Sequence, residues 1–252
     1  MAVAFVQHID SAQSSGAATT VLTVPAGGVA EGDTVIVRCR YLTAHPTGIT
    51  DTGGNTYTKR VSPNPAGGDV WASTWDGVIT TALTSGQSIT VAHTAENGYS
   101  GADEFSGVGD YDTSAGQLQT TASPTSTSIT PANVGLVIGN VSHDDANGYP
   151  YTEDADSVGG DTWHSLTYIE DRIGGAYKIT TSAVSQTYDP TLNGSDNVST
   201  HIASWDEIPI PLYDVPPTDD VTTTGWSSTP LWSKIDDDPD SPDATVITAT
   251  AS

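Results

Sequence analysis

Basic side chains are scarce in this sequence of 252 residues. Seven Lys and Arg stand against 31 Asp and Glu, which gives a formal net charge of −24. Binding to nucleic acid needs a Lys/Arg surface that displaces counterions from the phosphates, and an anionic membrane surface attracts the same basic groups. We therefore expect neither nucleic acid nor a membrane among the partners of this protein.

Cysteine and long apolar runs are lacking as well. Cys39 is the sole cysteine, which excludes an internal disulfide and a zinc site built on several cysteines. No run approaches the roughly 18 apolar residues of a membrane span, and the N-terminal MAVAFVQHIDSAQ has no cationic start or long apolar core. We expect no signal peptide and no transmembrane segment.

Sequence motifs for catalysis are missing too. The six histidines are scattered, and none forms the HExxH spacing of a metal centre. Ser100, in Gly98-Tyr99-Ser100-Gly101, falls one residue short of a GxSxG nucleophile elbow. Among 31 acidic residues some pair always looks suitable for glycoside hydrolysis, so their spacing carries no signal. We predict no catalytic residue and no enzymatic activity.

The abundant residues are those that form turns and strands. Of the acidic residues, 25 are Asp, and the chain also contains 25 Gly and 15 Pro; such residues favour turns over helices. Apolar residues recur with a period of two, as in half-buried strands. Strands are predicted over 3–7, 19–24, 34–41, 55–60, 70–76, 88–93 and 99–105. Cys39 shares a strand face with Val35 and Val37, which predicts a buried thiol.

A second group of strands, beginning near Thr125, repeats the first at a spacing of roughly 100 residues. The segment 32–41 matches 132–141 in pattern, 54–58 matches 160–164, and the strands near 70–74 and 100–105 match those near 175–179 and 199–205. Because each half alone offers few strands, we expect both to share one antiparallel two-sheet sandwich over residues 1–210.

The C-terminal residues read as a separate module. A Pro-rich linker is predicted over 211–221, since Pro cannot occupy a central strand, and a β-hairpin over 222–252. The predicted hairpin tip is acidic and could supply oxygen ligands to Ca²⁺ from Asp236, Asp238, Asp240 and Asp243. A solvated turn is the alternative, as it is for a second acidic set, Asp144, Asp145, Glu153, Asp154 and Asp156.

Tryptophan and the few cations are the remaining candidates for interactions. Trp71 and Trp163 are predicted to fill the core, whereas Trp75, Trp226 and Trp232 are candidates for binding a glycan or a partner protein, because Trp offers a flat face to both. The cations on adjacent predicted strands are expected to pair with carboxylates of the domain or, alternatively, to dock an acidic partner. They are Arg38, Arg40, Lys59 and Arg60.

Several short stretches resemble a known group of proteins. Residues 23–37 (TVPAGGVAEGDTVIV), 51–57 (DTGGNTY) and 104–108 (EFSGV) look like a jelly-roll-type β-sandwich that recurs in virion proteins of tailed phages, especially those of actinobacteria. The tail, from Gly225-Trp226 to Ile247, resembles a short module of minor tail proteins of such phages. The resemblance implies a structural or surface-binding role and no catalytic residues.

Three functions follow from these observations. The first is a minor tail protein at the exterior of a virion, present in multiple copies and packed on other virion proteins. Its acidity suits a position away from packaged DNA. The second is a capsid decoration protein, which suits the same acidic exterior. The third is a module that recognises host cell-surface glycans through Trp or Tyr, with Ca²⁺ as a candidate cofactor.

Overall fold

The computed structural model describes residues 2–63, 70–144, 151–167, 169 and 172–209. These residues form fifteen strands and no helix, so the predicted all-β, antiparallel class is confirmed. Among them there is no helix of the length and apolarity that crossing a membrane requires. The strands belong to the unit Met1–Ile210. The predicted linker, 211–221, and hairpin, 222–252, lie outside the described residues.

The strands of the first half form two sheets. The five-stranded sheet has the order β1-β8-β3-β6-β5, and the three-stranded sheet has the order β2-β7-β4. Their bounds are β1 Ala4–Ser14, β2 Thr19–Thr23, β3 Thr34–Tyr41, β4 Gly48–Asp51, β5 Thr58–Val61, β6 Trp71–Val78, β7 Ser88–Ala92 and β8 Gly98–Ser106. The sequence pattern misses β4 completely.

The second half also forms two sheets. A five-stranded sheet has the order β12-β13-β10-β15-β9, and β11 pairs with β14. The bounds are β9 Val108–Thr121, β10 Gly135–His143, β11 Tyr151–Thr152, β12 His164–Ser165, β13 Ile173–Ile179, β14 Thr191–Leu192 and β15 Asp196–Glu207. The strand β9 was not predicted, because Gly and Asp, which are depleted in strands, occupy four of the first nine positions of its sequence, VGDYDTSAGQLQTT.

The predicted internal repeat is present in the topology. Read from β1 and from β9, the two large sheets have orders 1-8-3-6-5 and 9-15-10-13-12, so each strand of the first half has a counterpart in the second. The two central strands, β3 and β10, pair on either side with β8 and β6 and with β15 and β13, respectively. An isolated bridge between Val29 and Leu83 has its counterpart between Ile129 and Gln186.

The predicted antiparallel sandwich is confirmed, but the described strands form four sheets instead of two. Each half has its own core between its large and its small sheet: the first contains Val37 and Leu22, and the second contains Val137 and Leu192. The two large sheets then pack face to face around a third apolar cluster that contains Ile36, Leu136 and Trp205. The result is four layers, and all eight residues of β3 are buried because both of its faces are covered.

The two halves pack in opposite strand order. At one edge, Phe5 of β1 stacks on Tyr177 of β13 at a centroid distance of 5.3 Å. At the other edge, Arg60 of β5 lies over Tyr111 of β9 at 4.7 Å. The first strand of each half, β1 or β9, therefore lies near the opposite edge of the other half's large sheet, at β13 or β5, respectively. A twofold axis between the two sheets would produce this arrangement, as in the isologous interface of a symmetric dimer.

Candidate functional site

The motif 51–57 forms a turn held together by its own polar side chains. Asp51 accepts hydrogen bonds from the backbone and side-chain nitrogens of Asn55 and from the hydroxyl of Tyr57, at 2.9–3.0 Å. Asn55 Oδ1 in turn accepts from the backbone nitrogens of Thr80 and Thr81, each at 2.9 Å. The residues that carry the family resemblance here fix the backbone of a loop, as Asx residues do in turns.

The motifs 23–37 and 104–108 meet at the side chain of Glu104. This buried carboxylate accepts hydrogen bonds from the side chain of Gln7 at 2.5 Å and from the backbone nitrogen of Ala30 at 2.9 Å. Asp33 lies beside it, and its pKa is raised to about 6 by burial, by a hydrogen bond with Glu104 and by the charge of Glu104. These motifs too are structural: they join the start of β3 to the end of β8.

The two large sheets enclose a layer of polar and charged side chains, which we call the central interface. At its centre Arg38 of β3 and Asp103 of β8 are each fully buried. The Nε and Nη2 atoms of Arg38 lie 3.3 and 3.2 Å from Asp103 Oδ2, and Nη2 also donates to the backbone oxygen of Thr167 in the second half. His8 Nδ1 lies 2.8 Å from the other carboxylate oxygen of Asp103. Removing either partner of such a buried ion pair is strongly destabilising, because the other charge is then left buried without compensation.

Two further contacts cross the central interface. Trp205 of β15 donates its indole N–H to Asp76 Oδ2 at 2.6 Å, and Arg60 Nε donates to the other oxygen of Asp76 at 2.7 Å. Thr74 Oγ1 lies 2.7 Å from His201 Nε2. Burial lowers the pKa of His201 to about 3, with smaller contributions from His45 and Arg38, so its ring is neutral at physiological pH.

Polar contacts extend from the central interface into the core of the second half. Tyr188 donates to Glu153 Oε2 at 2.7 Å, and the hydroxyl of Tyr151 donates to Oε1. Burial raises the pKa of Glu153, although both tyrosines and Arg38 oppose that shift. Gly139 makes room for this group, because a Cβ there would come within 2.4–2.7 Å of the ring of Tyr188.

The predicted pairing of the cations within the domain is confirmed for three of the four. Arg38 pairs with Asp103, Arg60 with Asp76, and Arg40 Nη2 lies 3.0 Å from Asp144 Oδ1. The ammonium of Lys59, the fourth cation, lies 5.7 Å from the ring centroid of Trp75. None of these partners could be assigned from the sequence, since they lie 16 to 104 residues away.

Trp75 is a core residue. It is 6 % exposed, packs in the first core and donates its indole N–H to Ser73 Oγ at 3.0 Å. This corrects the expectation that Trp75 offers its face to a glycan or a partner. Trp163 is also 6 % exposed, as predicted for a core position, and Trp71 packs against the first core.

The remaining predicted binding residues lie outside the described part of the chain. They are Trp226, Trp232, Asp236, Asp238, Asp240 and Asp243. In the second acidic set Asp145 is also outside, and the others have separate partners: Asp144 binds Arg40, Asp156 binds Lys178, and Asp154 Oδ2 accepts from the backbone nitrogen of Asp189. Among the described residues no three His, Cys, Asp or Glu come together as ligands for a metal ion.

Two clefts open at the surface of the described unit. The larger, about 810 Å³, lies where β15 ends and is lined by carboxylates at Asp110, Asp206 and Glu207, so it does not fit an acidic ligand. The smaller, about 290 Å³, is lined by Arg60 and Asp76 together with several uncharged residues: Thr56, Thr58, Gly77, Val78 and Thr80.

Comparison with known proteins gives no match: no family model, no curated protein and no solved structure corresponds to this chain.

Proposed function

We propose that this protein is a structural component of a tailed-phage virion, specifically a minor tail protein at the particle exterior. The observation that carries the proposal is the nested strand pairing of the first half: β1 pairs with β8, β2 with β7 and β3 with β6. That nesting is typical of the eight-stranded jelly roll, a fold of viral coat and lectin domains. Because a fold alone does not assign a function, the resemblance of the turn motifs to phage virion proteins supplies the context.

The packing of the two halves suits a structural component of a particle. The two large sheets meet face to face, with apolar packing around Trp205 and buried hydrogen bonds between the halves such as Trp205–Asp76. Buried polar groups that are hydrogen-bonded across this interface favour one arrangement of the two halves, and removing one partner of a buried charge is costly. The role we assign to the central interface is to hold both halves as one body with two outer faces.

The net charge of −24 supports an exterior position. Packaged DNA repels such a chain, and a high net charge keeps copies soluble before they assemble. A capsid decoration protein would have the same properties, so it remains the alternative location for the same structural role.

The experiment is to purify virions, separate tails from capsids and identify the chain in each fraction by mass spectrometry and antibody labelling. We expect it in the tail fraction, in several copies per particle. Recovery from capsids would favour the decoration role, and absence from washed particles would contradict both. Deleting residues 211–252 in the phage tests whether the predicted C-terminal module is needed for incorporation.

Glycan recognition is a second candidate, and the 290 Å³ cleft favours it. Arg60 and the hydroxyls of Thr56, Thr58 and Thr80 can form hydrogen bonds with sugar hydroxyls, while Val78, 52 % exposed, offers an apolar contact. Arrays of host cell-wall glycans test this directly. Binding that is lost in Thr58→Glu, whose side chain would fill the cleft, and retained in Thr191→Glu would support this function. No binding by the wild-type chain would exclude it for the glycans on the array.

A further inference from the structure

Charged residues are absent from three stretches of the first half. Residues 11–30, 41–50 and 77–95 contain no Asp, Glu, Lys or Arg, although 15 % of the chain is charged. These three stretches contain all of β2 and β7 and all of β4 except its last residue, Asp51, which is bound to Asn55. The fold therefore gathers three separate uncharged stretches into one sheet.

The outer side of that sheet, which we call the neutral face, is built from small hydroxyl and apolar side chains. The register aligns Thr19 with Ala92 and Gly48 in one row, and Val21 with Thr90 and Thr50 in the next. Val21 is 49 % exposed, while Leu22 and Val91 point inward to the first core. Neighbouring strands lie roughly 4.8 Å apart, so the side chains of the face are closely spaced.

The opposite end of the molecule carries acidic side chains. The outer layer of the second half carries Asp154, Asp156 and Asp189 within its described residues. The cation bound there, Lys178, is itself fully buried against Asp156. These carboxylates lie away from the neutral face.

We propose that the neutral face is a self-association surface that binds the neutral face of a second copy of this chain. Two chains that each carry a charge of −24 repel each other, and the neutral face is where they can approach without placing carboxylates opposite one another. Interface centres are depleted in charged residues for the same reason. A sheet face that meets its own copy forms a closed, isologous contact, and it continues the face-to-face packing by which the two large sheets already meet.

The inference rests on the proposed function, since a particle component in multiple copies needs a surface for its neighbours. Three strands of about five residues cover less area than a stable dimer interface, which buries about 800 Å² per partner. We therefore expect weak association of the free chain, which strengthens with salt as the remaining repulsion is screened.

Sedimentation velocity of the purified chain from roughly 10 to 500 µM, the range that separates weak dimers from monomers, tests the proposal. We expect a concentration-dependent dimer. Val21→Asp should weaken it at least about tenfold, because like charges then face each other across the contact. Val158→Asp is the matched control, since Val158 is 53 % exposed at the acidic end, and it should leave association unchanged.

A charge-swap variant makes the test specific. Val21→Lys alone should also weaken the dimer, whereas an equimolar mixture of the Val21→Asp and Val21→Lys chains should restore it. Thr90→Asp, on the middle strand, serves as a second variant if Val21→Asp does not fold. A wild-type chain that stays monomeric, a Val21→Asp chain that still associates, or a mixture that fails to recover would each overturn the proposal. Because no virion is involved, such a failure is distinct from failure of the chain to appear in particles.

Discussion

Trp205 and Asp76 meet across the central interface: the indole N–H of Trp205 donates to Asp76 Oδ2 at 2.6 Å, although the two residues are 129 positions apart. Trp205 is 1 % exposed and Asp76 is 5 % exposed. This contact joins the two halves through a buried carboxylate, where a lost donor is not replaced by water.

Trp205→Phe should lower the free energy of unfolding by about 1–3 kcal/mol more than Trp75→Phe does. Both changes remove the same ring atoms from a buried site, so the packing loss is similar. They differ in the acceptor, which is a carboxylate for Trp205 and the hydroxyl of Ser73 for Trp75. Urea unfolding of the two variants measures the difference. Equal losses would mean that the bond to Asp76 adds nothing beyond packing.

The sequence predicts strands and their repetition well because both depend on local alternation and turn residues. The predicted strand 34–41 coincides with β3, and the buried thiol of Cys39 is confirmed. The sequence pattern did not predict that the second face of β3 is also buried. Arg38 alternates with Val37 and Cys39 as a surface residue would, yet it is fully buried because the other half of the chain packs over it.

The candidate site was harder to predict than the fold. Asp103, His201 and Glu153 carry no local signal, because their significance arises from partners that distant segments bring to them. Trp75 was misassigned for a related reason: an aromatic residue on an alternating strand is compatible with either face.

Gly139→Ala should destabilise the second half. A Cβ at Gly139 would lie 2.4–2.7 Å from ring atoms of Tyr188, whose hydroxyl is bound to Glu153, so the ring cannot retreat without breaking that bond. Overpacking of this kind costs about 1–3 kcal/mol. Gly48→Ala is the control, because a Cβ there meets nothing within 4 Å. A thermal melt that shows equal stability for the two variants would contradict the prediction.

Cys39 should be inert to thiol reagents in the folded protein. It is fully buried, and burial raises the pKa of its thiol to about 12, so neither access nor a thiolate is available at pH 8. We expect no labelling by iodoacetamide under native conditions and one label per chain in denaturant. Because the chain has a single cysteine, the labelling rate also reports opening of the first half. Rapid labelling of the native chain would show that β3 is accessible.

His201 should make stability fall as the pH is lowered. Its folded-state pKa of about 3 lies below the ordinary histidine pKa of 6.5, so the unfolded chain binds the additional proton. The contribution of neutral His201 is complete above pH 6.5 and is lost progressively between 6.5 and 3, with a slope of at most about 1.4 kcal/mol per pH unit. His201→Gln should flatten the profile in that window. Imidazole signals followed by NMR should show two histidines that stay neutral at pH 5, His45 and His201, since burial lowers the pKa of His45 to about 4. The signal that is absent from the variant is that of His201.

Asp33 should make stability rise as the pH is lowered, which is the opposite of the effect of His201. Its pKa is raised to about 6, above the ordinary 3.8, by burial first and then by Glu104. The folded chain therefore binds the additional proton between pH 6 and 3.8, and the penalty of ionising Asp33 is relieved as the pH falls through that window. Asp33→Asn should stabilise the protein at pH 8 and change little at pH 4, since the amide can donate to Glu104 as the protonated acid does. Urea unfolding at both pH values measures this, with Asp110→Asn, an exposed position, as the control. A gain that is equal at pH 8 and pH 4 would show that the effect does not come from the proton.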